Sequence, residues 1–395
     1  MYPFAESIIM TDVWVRKNRC HSFAEHKEKS MKHLILAINP GSTSTKFAVY
    51  DNESMLFSES IEHSNEELSA CSSLKEQFNM RLSRIMDALD KRSFDPSGLS
   101  CVVGRGGQLP PVKAGGYYVN DAMKRRIIVG PIINHASNLG ALLAAAIAKP
   151  YGIPAMIYDA VSSDEMRPVA KITGIPEIVR QSFCHVLNTK AMARKAAAAA
   201  GRKYEDMNYI IAHIGGGVSV SAHNYGKIVD VITDDAGPFS PERSGSVPLL
   251  YIVDMCFSGN YSKKELLKEL RGQGGLKAYF GTHDCRDIEK MIASGDEKAK
   301  NVYTAQAYQI AKGIGELSPT IEGKIDNIIL TGGVANSEML TGMIKKYVEF
   351  LAPVLVMPGE NELEALALGA LRVMRGEEVC NEYIEPFVGE AELFV

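Results

Sequence analysis

Three glycine-rich turns carry residue types that can bind phosphate groups. They are residues 39–44 (NPGSTS), which Lys46 follows, residues 215–217 (GGG) and residues 332–333 (GG), and each comes after an apolar segment. Glycine lets backbone N–H groups approach an anion because no Cβ stands in the way, while hydroxyl groups and a lysine add donors and positive charge. A single turn of this kind is more often a plain hairpin. Three of them in one chain favour a site for the phosphates of a nucleotide.

The spacing of the glycines excludes two common nucleotide-binding motifs. The chain lacks the G-x-x-x-x-G-K-[ST] sequence of a P-loop, and residues 104–107 (GRGG) lack the third glycine of a dinucleotide-binding fingerprint. A different arrangement of strands must therefore position the three turns.

Two of the turns lie in segments that share one plan. Residues 33–61 contain an apolar run, a glycine turn, a second apolar run, a turn at residues 51–52 and a third strand-like run. Residues 209–232 repeat this order around the second glycine turn, with the later turn at residues 224–226. Each segment predicts a three-stranded meander. Two such meanders indicate two similar domains.

Helix-like segments alternate with the remaining strand candidates. Helices are expected at residues 139–149, 188–200, 263–271, 287–292, 299–317 and 362–374, and strands at residues 326–330 and 354–357. This order predicts an α/β protein with two similar domains, each holding a mixed β-sheet flanked by helices. We expect an N-terminal extension at residues 1–30 without sustained periodicity, typical of a poorly ordered arm, a first domain at residues 31–185 and a second at residues 186–395.

Composition excludes several other classes of protein. The chain has 395 residues, of which 46% are hydrophobic and 23% charged, and its net charge is −4, so it has no excess of basic residues for nucleic acid or a membrane surface. No apolar run approaches the ~18 residues of a membrane span. The seven cysteines are an odd number without a C-x-x-C pair, which is typical of reduced thiols. We therefore expect a cytoplasmic protein with no nucleic-acid or membrane partner.

The sequences of several motifs resemble those of the acetokinase family, which lies in the actin, hexokinase and acetate kinase superfamily. These motifs are AINPGSTSTKFAVYD, VVGRGGQLPPVKAGGYYV, PIINHASNLGA, IYDAVSSDEM, FCHVLN, IIAHIGGGVSVSAH, GPFSPERSGSVP and LTGGVANS. The resemblance implies an actin-like fold that closes on ATP with Mg²⁺, and it implies a homo-oligomer. It also implies reversible transfer of the γ-phosphoryl group of ATP to butyrate, giving ADP.

Two alternatives to this activity remain open. Acetate, propionate or a branched-chain fatty acid is an alternative acceptor within the family. A non-catalytic, actin-like ATP-binding module is the alternative from another class, and it would keep the glycine turns without needing paired arginines.

A carboxylate acceptor places a particular demand on the site. The acid is already ionised at neutral pH, so the reaction needs no general base, but two anions must approach each other. Catalysis then depends on positioning and on positive charge, for which arginine is well suited. The resemblance assigns this work to four residues: Arg105, Arg243, His185 and Asp159. The arginines would face the carboxylate and the phosphoryl group, His185 would donate to the equatorial oxygens, and Asp159 would orient the metal.

The resemblance assigns further motif positions to ligands. The positions for the nucleotide are Asn39, Ser42, Ser44, Lys46, His213, Gly215, Gly216, Gly217, Asp284, Cys285, Arg286, Gly332 and Gly333. The positions for the acid are Gly107, His135, Cys184 and Pro238. The positions for Mg²⁺ are Asn39, Asp159 and either Glu362 or Glu364.

Three of these positions depart from acetate kinases. Gly216 stands where those enzymes carry asparagine, so only backbone donors remain in that turn. Gly107 and Cys184 stand where they carry valine and phenylalanine, and we expect the lost bulk to leave room for two further methylene groups.

Overall fold

The computed structural model describes residues 32–130 and 136–384. The predicted extension at residues 1–30 and His135 lie outside the described residues. The strands are β1 (Leu34–Pro40), β2 (Ser44–Asp51), β3 (Ser54–Glu62), β4 (Cys101–Arg105), β5 (Gly116–Tyr118), β6 (Ala155–Tyr158), β7 (Asn208–Ile214), β8 (Val218–Asn224), β9 (Lys227–Ile232), β10 (Asn327–Gly332), β11 (Val354–Pro358) and β12 (Asn381–Glu382).

The α-helices connect these strands and cover both sheets. They are α1 (Asn65–Ala70), α2 (Leu74–Lys91), α3 (Asp121–Val129), α4 (Leu139–Ala148), α5 (Val186–Ala199), α6 (Leu249–Phe257), α7 (Lys263–Arg271), α8 (Gly275–Phe280), α9 (Cys285–Ala293), α10 (Glu297–Leu317), α11 (Glu338–Val348) and α12 (Glu362–Met374). In the part of the chain that the structure describes, we find no helix with the length and apolarity that a membrane crossing requires.

The two sheets repeat one topology. The first has the strand order β12-β5-β6-β4-β1-β2-β3 and the second has the order β11-β10-β7-β8-β9. In each sheet an antiparallel meander is followed by two strands that run parallel to its first strand. The second hairpin of each meander is also irregular at the same place, between Val49 and Tyr50 in one and between Ala222 and His223 in the other. The predicted α/β fold with two duplicated mixed sheets is confirmed.

The meanders form where the sequence alternates apolar runs with turn residues. Strand β1 is almost wholly buried, and in its antiparallel register Ile38 lies opposite Phe47. Asn52 adopts a φ of +53° in the tight turn that follows β2. Because asparagine tolerates this left-handed backbone, the chain can reverse directly into β3.

The end of the chain returns to the first sheet. The apolar face of helix α12 packs on β1, β4 and β6 through Leu366 and Leu371, and β12 pairs with β5. The assignment of residues 186–395 to the second domain is therefore wrong for α12 and β12. The physical reason is that one face of the first sheet needs a cover, and α12 supplies it. Helix α5 lies on β7 and β10 of the second sheet and touches α12, so these two helices join the halves.

Candidate active site

Arg105 stands at the end of β4, between glycines that permit close packing. A Cβ on Gly104 would lie 2.0 Å from the carbonyl oxygen of Gly140, so helix α4 rests directly on the backbone of β4. A Cβ on Gly106 would lie 2.6 Å from the Cβ of Ala160. The small residues around Arg105 therefore fix the position of its backbone.

Arg105 meets two other predicted site residues from distant parts of the chain. Its Nη1 donates to Glu362 Oε2 at 2.9 Å and to Asn39 Oδ1 at 3.4 Å, and Asn39 Nδ2 also donates to Glu362 Oε2. Burial raises the pKa of Glu362, whose exposure is 8%, and the charge of Arg105 opposes this shift. The second candidate, Glu364, forms an ion pair with Lys195 at 2.5 Å. The structure therefore brings Glu362, and not Glu364, to Asn39.

Asp159 is buried at the end of β6, in a left-handed backbone conformation with a φ of +42°. Its Oδ1 accepts from the backbone N–H of Gly115 at 2.8 Å. Its Oδ2 lies 3.6 Å from Arg194 Nη1 and has no hydrogen-bond partner. A cavity of about 200 Å³ between α5 and α12 is lined by Asp159, Arg194 and Glu364. Within the described residues, no ion pair joins Asp159 to Arg105 or Arg243.

The donor set suits magnesium, although the described residues include no cluster of three histidine, cysteine or acidic side chains. Mg²⁺ in phosphoryl-transfer sites is held by one or two carboxylates together with phosphate oxygens and water. Glu362 beside Asn39 provides one such carboxylate, and Oδ2 of Asp159, which accepts no hydrogen bond from the described residues and lies 3.6 Å from Arg194 Nη1, is a second acceptor. These residues fit a metal that the nucleotide helps to bind.

Two histidines stack between the halves. His185 begins helix α5, His213 lies on β7, and their ring centroids are 3.7 Å apart with the planes inclined by 7°. His185 Nδ1 lies 2.9 Å from Ser219 Oγ. His213 Nδ1 lies 2.9 Å from Asn188 Nδ2, which donates to it, so the proton of the neutral His213 ring is on Nε2. A Cβ on Gly215 would lie 3.4 Å from that Nε2, so the ring borders the second glycine turn.

The electrostatics of this pair show where the arginines lie. Burial, with Arg105 and Arg243 acting in the same direction, lowers the pKa of His185 to about 3. Burial also lowers the pKa of His213 well below its usual value, and His185 and Arg105 add to this shift. Both rings are therefore neutral at physiological pH. The two arginines, one from each half of the molecule, act on the same imidazole.

The absence of side chains in the second glycine turn makes room for Arg243. A Cβ on Gly217 would lie 2.5 Å from Arg243 Nη1 and 3.1 Å from Asp234 Oδ2. Ser240 is buried, donates from Oγ to the carbonyl oxygen of Gly216 at 2.6 Å, and accepts from the Arg243 backbone N–H at 3.1 Å. The turn and the arginine are thus held together by one hydroxyl group.

Arg243 is already paired with a carboxylate. Its Nη1 contacts Asp234 Oδ2, and Arg271 contacts Asp234 from another side with a distance of 3.2 Å. Burial and the charge of Arg271 lower the pKa of Arg243 to about 10, so the guanidinium remains protonated at neutral pH. An anionic ligand must compete with Asp234 for this side chain.

The first turn is fixed from behind by Arg81, a residue that sequence reasoning missed. Arg81 lies on helix α2, is fully buried, and donates to the carbonyl oxygens of Ser42 and Ser44 at 3.2 and 2.9 Å. Lys46 is exposed and lines a cleft of about 580 Å³ together with Asn39. Arg81 stands on the apolar face of its helix, at helical spacing from the buried Phe78, and this was the available signal.

The described positions predicted for the acid are packed against other residues. A Cβ on Gly107 would lie 2.2 Å from Asn138 Oδ1, so Asn138 occupies the space that the missing side chain was expected to leave. Cys184 is buried in an apolar cluster with Met166 and Val231, and Pro238 is buried beside Gly313. The expectation that Gly107 opens a larger pocket is therefore wrong, because a distant residue refills the volume.

The remaining nucleotide positions all lie in the second half of the chain, at the start of helix α9 and at the end of β10. Asp284 caps helix α9 by accepting from the Arg286 backbone N–H at 2.9 Å, and their side chains also pair. Cys285 packs against the core of the second half. Gly332 has a φ of +92°, and a Cβ there would lie 2.4 Å from Ile214 O, whereas the space next to Gly333 is open. A cavity of about 440 Å³ begins three residues beyond Gly332, at Ala335 and Asn336.

Duplicated meanders with glycine turns, and two arginines that share a histidine pair, define a class of phosphoryl-transfer protein. The chain belongs to the acetokinase family, whose profile matches residues 166–357. It is 47% identical over 355 residues to Butyrate kinase 2 of Clostridium acetobutylicum, an alignment that covers 89% of this chain and 100% of that relative.

Solved structures of related enzymes show the same fold. The acetate kinase of Porphyromonas gingivalis superposes with a TM-score of 0.71 at 18% identity, covering 86% of this chain and 99% of that one. The propionate kinase of Francisella tularensis gives a TM-score of 0.69 at 21% identity, covering 85% and 98%. These similarities confirm the actin-like architecture that the motifs implied.

Proposed function

We propose that the protein transfers the γ-phosphoryl group of ATP to butyrate, giving butyryl phosphate and ADP in a reversible reaction. The observation that carries this proposal is that Arg105 and Arg243 both act on the buried imidazole of His185. A carboxylate acceptor is already ionised and needs positive charge, and the carboxylates beside the two arginines, Glu362 and Asp234, are held in ion pairs with them. The 47% identity to a butyrate kinase supports the choice of acid.

In the proposed reaction a carboxylate oxygen attacks the γ-phosphorus, and the bond from that phosphorus to the β–γ bridging oxygen breaks. Arg105 holds the acid and Arg243 neutralises the charge on the phosphoryl oxygens. His185 stays neutral, and when Ser219 donates to its Nδ1, its proton is on Nε2 and can be donated to the equatorial oxygens. Mg²⁺ would be held by Asn39, Asp159 and Glu362 and would neutralise the β- and γ-phosphate oxygens.

The glycine turns would hold the phosphates from the two halves. Ser42, Ser44 and Lys46 serve one side, and residues 215–217 serve the other. Residues 284–286 and 332–333 would surround the adenosine, with the cavity at Asn336 as its extension. Enclosure of the nucleotide then requires both halves.

An acyl-hydroxamate assay with ATP and straight-chain acids of two to five carbons tests this proposal. Hydroxylamine traps the acyl phosphate, so a non-catalytic ATP-binding module gives no product. The identity to a butyrate kinase leads us to expect butyrate to exceed acetate in kcat/KM on the order of tenfold, since each buried methylene contributes roughly 0.8 kcal/mol. This preference does not depend on space at Gly107. A preference for acetate would overturn the choice of acid but not the reaction class.

We also propose a homo-oligomer and a cytoplasmic location. Helix α6 (LLYIVDMCF) has no buried residue, and Leu249 and Phe257 are 81% and 87% exposed, which a second copy of the chain could cover. Six described cysteines are free thiols, as a reducing compartment requires. Sedimentation of Leu250→Glu should show a smaller particle than the unmodified protein, whereas Lys264→Glu on the exposed face of α7 should not.

A further inference from the structure

The charge of Arg81 has no counter-ion in the part of the chain that the structure describes. The side chain is fully buried, yet its donors meet two carbonyl oxygens and the hydroxyl of Thr45, at 2.7 Å, and no carboxylate. Burial lowers the pKa of Arg81, and the thiol of Cys71 opposes that shift. A buried cation without a partner is costly unless an anion approaches it. Its position directly behind the first glycine turn shows from which direction an anion can come.

The turn itself is oriented by these contacts. Arg81 donates hydrogen bonds to the carbonyl oxygens of Ser42 and Ser44. The carbonyl oxygen of Thr43, between them, accepts from the backbone N–H of His63 at 2.8 Å. In a trans peptide the N–H group points opposite to the carbonyl oxygen, and no cis bond is present among the described residues. The N–H group of Thr43 therefore points away from Arg81, and the N–H group of Ser44 points away from the backbone of His63.

The hydroxyl of Thr45 completes the support. It accepts from Arg81 Nη1, so its own hydrogen is free for His63 Nε2, which lies 2.8 Å away. Burial, with Arg81 adding to it, lowers the pKa of His63, and a neutral ring can accept this hydrogen bond. The turn is thus held by a connected chain of donors and acceptors that ends in a neutral ring.

We propose that Arg81 is a positioning residue for phosphoryl transfer: its fork holds the carbonyl oxygens of Ser42 and Ser44 inward, and its charge is completed by the phosphoryl group bound on the other side of the turn. This inference rests on the proposed kinase reaction. Arg81 does not touch the ligand. It directs backbone N–H groups at the anion and adds positive potential through the turn, where the low dielectric of the interior strengthens the interaction.

Two substitutions separate the charge of Arg81 from its hydrogen bonds. Arg81→Gln can still donate to one carbonyl oxygen but is neutral, and Arg81→Lys keeps the charge without the fork. Arg84→Gln is the matched control, because Arg84 lies on the same helix, is half-exposed and pairs with Glu67. Melting temperature and circular dichroism establish that each variant is folded.

In the hydroxamate assay we expect Arg81→Gln to lower kcat about tenfold or more, less than the loss of a direct donor. Arg81→Lys should recover part of that loss, the KM for butyrate should change little, and Arg84→Gln should stay within about twofold. A merely structural role would lower activity only in proportion to the folded fraction and would not be rescued by lysine. Folded Arg81→Gln with unchanged kcat, or Arg81→Lys no better than Arg81→Gln, would overturn the proposal.

A second readout does not depend on turnover. Saturating ATP with Mg²⁺ should raise the melting temperature of the unmodified protein, and that rise should be smaller in Arg81→Gln than in Arg81→Lys or Arg84→Gln. If the melting temperatures show this pattern but the unmodified protein forms no acyl hydroxamate, only the proposed function is contradicted. Equal rises in all variants would contradict the role of Arg81 alone.

Discussion

The first and second glycine turns have the same place in their meanders but receive positive charge from opposite sides. Arg81 supports the first turn from the protein interior, on the side of its carbonyl oxygens. Arg243 lies across the second turn, in the space that the missing side chain of Gly217 leaves. Duplication therefore preserved the backbone, while each half acquired its own source of charge. An arginine in front of a turn can contact a bound anion directly, whereas a buried one behind it can act only by positioning the turn.

The largest effect should come from removing the arginine in front of the second turn. We expect Arg243→Ala to lower kcat by about 10² to 10³, because charge that develops on the phosphoryl oxygens loses a direct donor. Turnover is measured beside thermal unfolding, so that loss of fold is separated from loss of chemistry. A folded Arg243→Ala protein with near-normal turnover would contradict the assignment.

A smaller effect should come from adding one methyl group to each turn. In Gly217→Ala the new Cβ lies 2.5 Å from Arg243 Nη1, so the guanidinium must move by about 1 Å, and such a misplacement can cost tenfold to a hundredfold in rate. In Gly41→Ala the nearest atom is 3.6 Å away, an ordinary contact, and we expect a loss of no more than about twofold. The ratio of the two kcat values measures the difference between the turns. If both variants lose the same factor in kcat, the added volume and not the displacement of Arg243 causes the loss.

A third effect, on stability and not on rate, should appear when the protein is acidified. The pKa of His185 is lowered to about 3, so between pH 6.5 and 3 the unfolded chain binds a proton that the folded protein does not. The free energy of unfolding should therefore fall as the pH decreases through this range, by up to about 1.4 kcal/mol per pH unit for this group. His185→Gln should flatten that slope in denaturant titrations at several pH values. If the free energy of unfolding falls with pH at the same rate in both proteins, His185 takes up its proton in the folded state and the lowered pKa is contradicted.

Sequence patterns predicted those elements whose signals are local. The segment at residues 263–271 is a helix at these bounds because Ser262 and Glu265 form a capping box beside a clear charge pattern. Helix α6 was missed because it is apolar all round and leaves no periodic contrast to detect. The amphipathic helix α2, which carries Arg81, was also missed, although its spacing was available.

The site was predictable only as far as single motifs reach. Motifs named Arg105, Arg243, His185 and His213, which the structure brings together, and their roles stay predictions. They could not show that Asn138 fills the space beside Gly107, or that Glu362 and not Glu364 faces Asn39. Those facts depend on packing between segments far apart in the chain, which residue types and local spacing do not encode.

The return of helix α12 to the first sheet determines when the protein can finish folding during synthesis. The carboxylate that pairs with Arg105 belongs to Glu362, which is synthesised 257 residues later in the chain. Until α12 has left the ribosome, the face of the first sheet around Ile35 and Val103 has no cover, and the buried carboxylate of the site is absent. A nascent chain released early exposes apolar strands to chaperones and to aggregation. Completion of the N-terminal half thus requires translation through α12, although nearly all of its strands are made earlier.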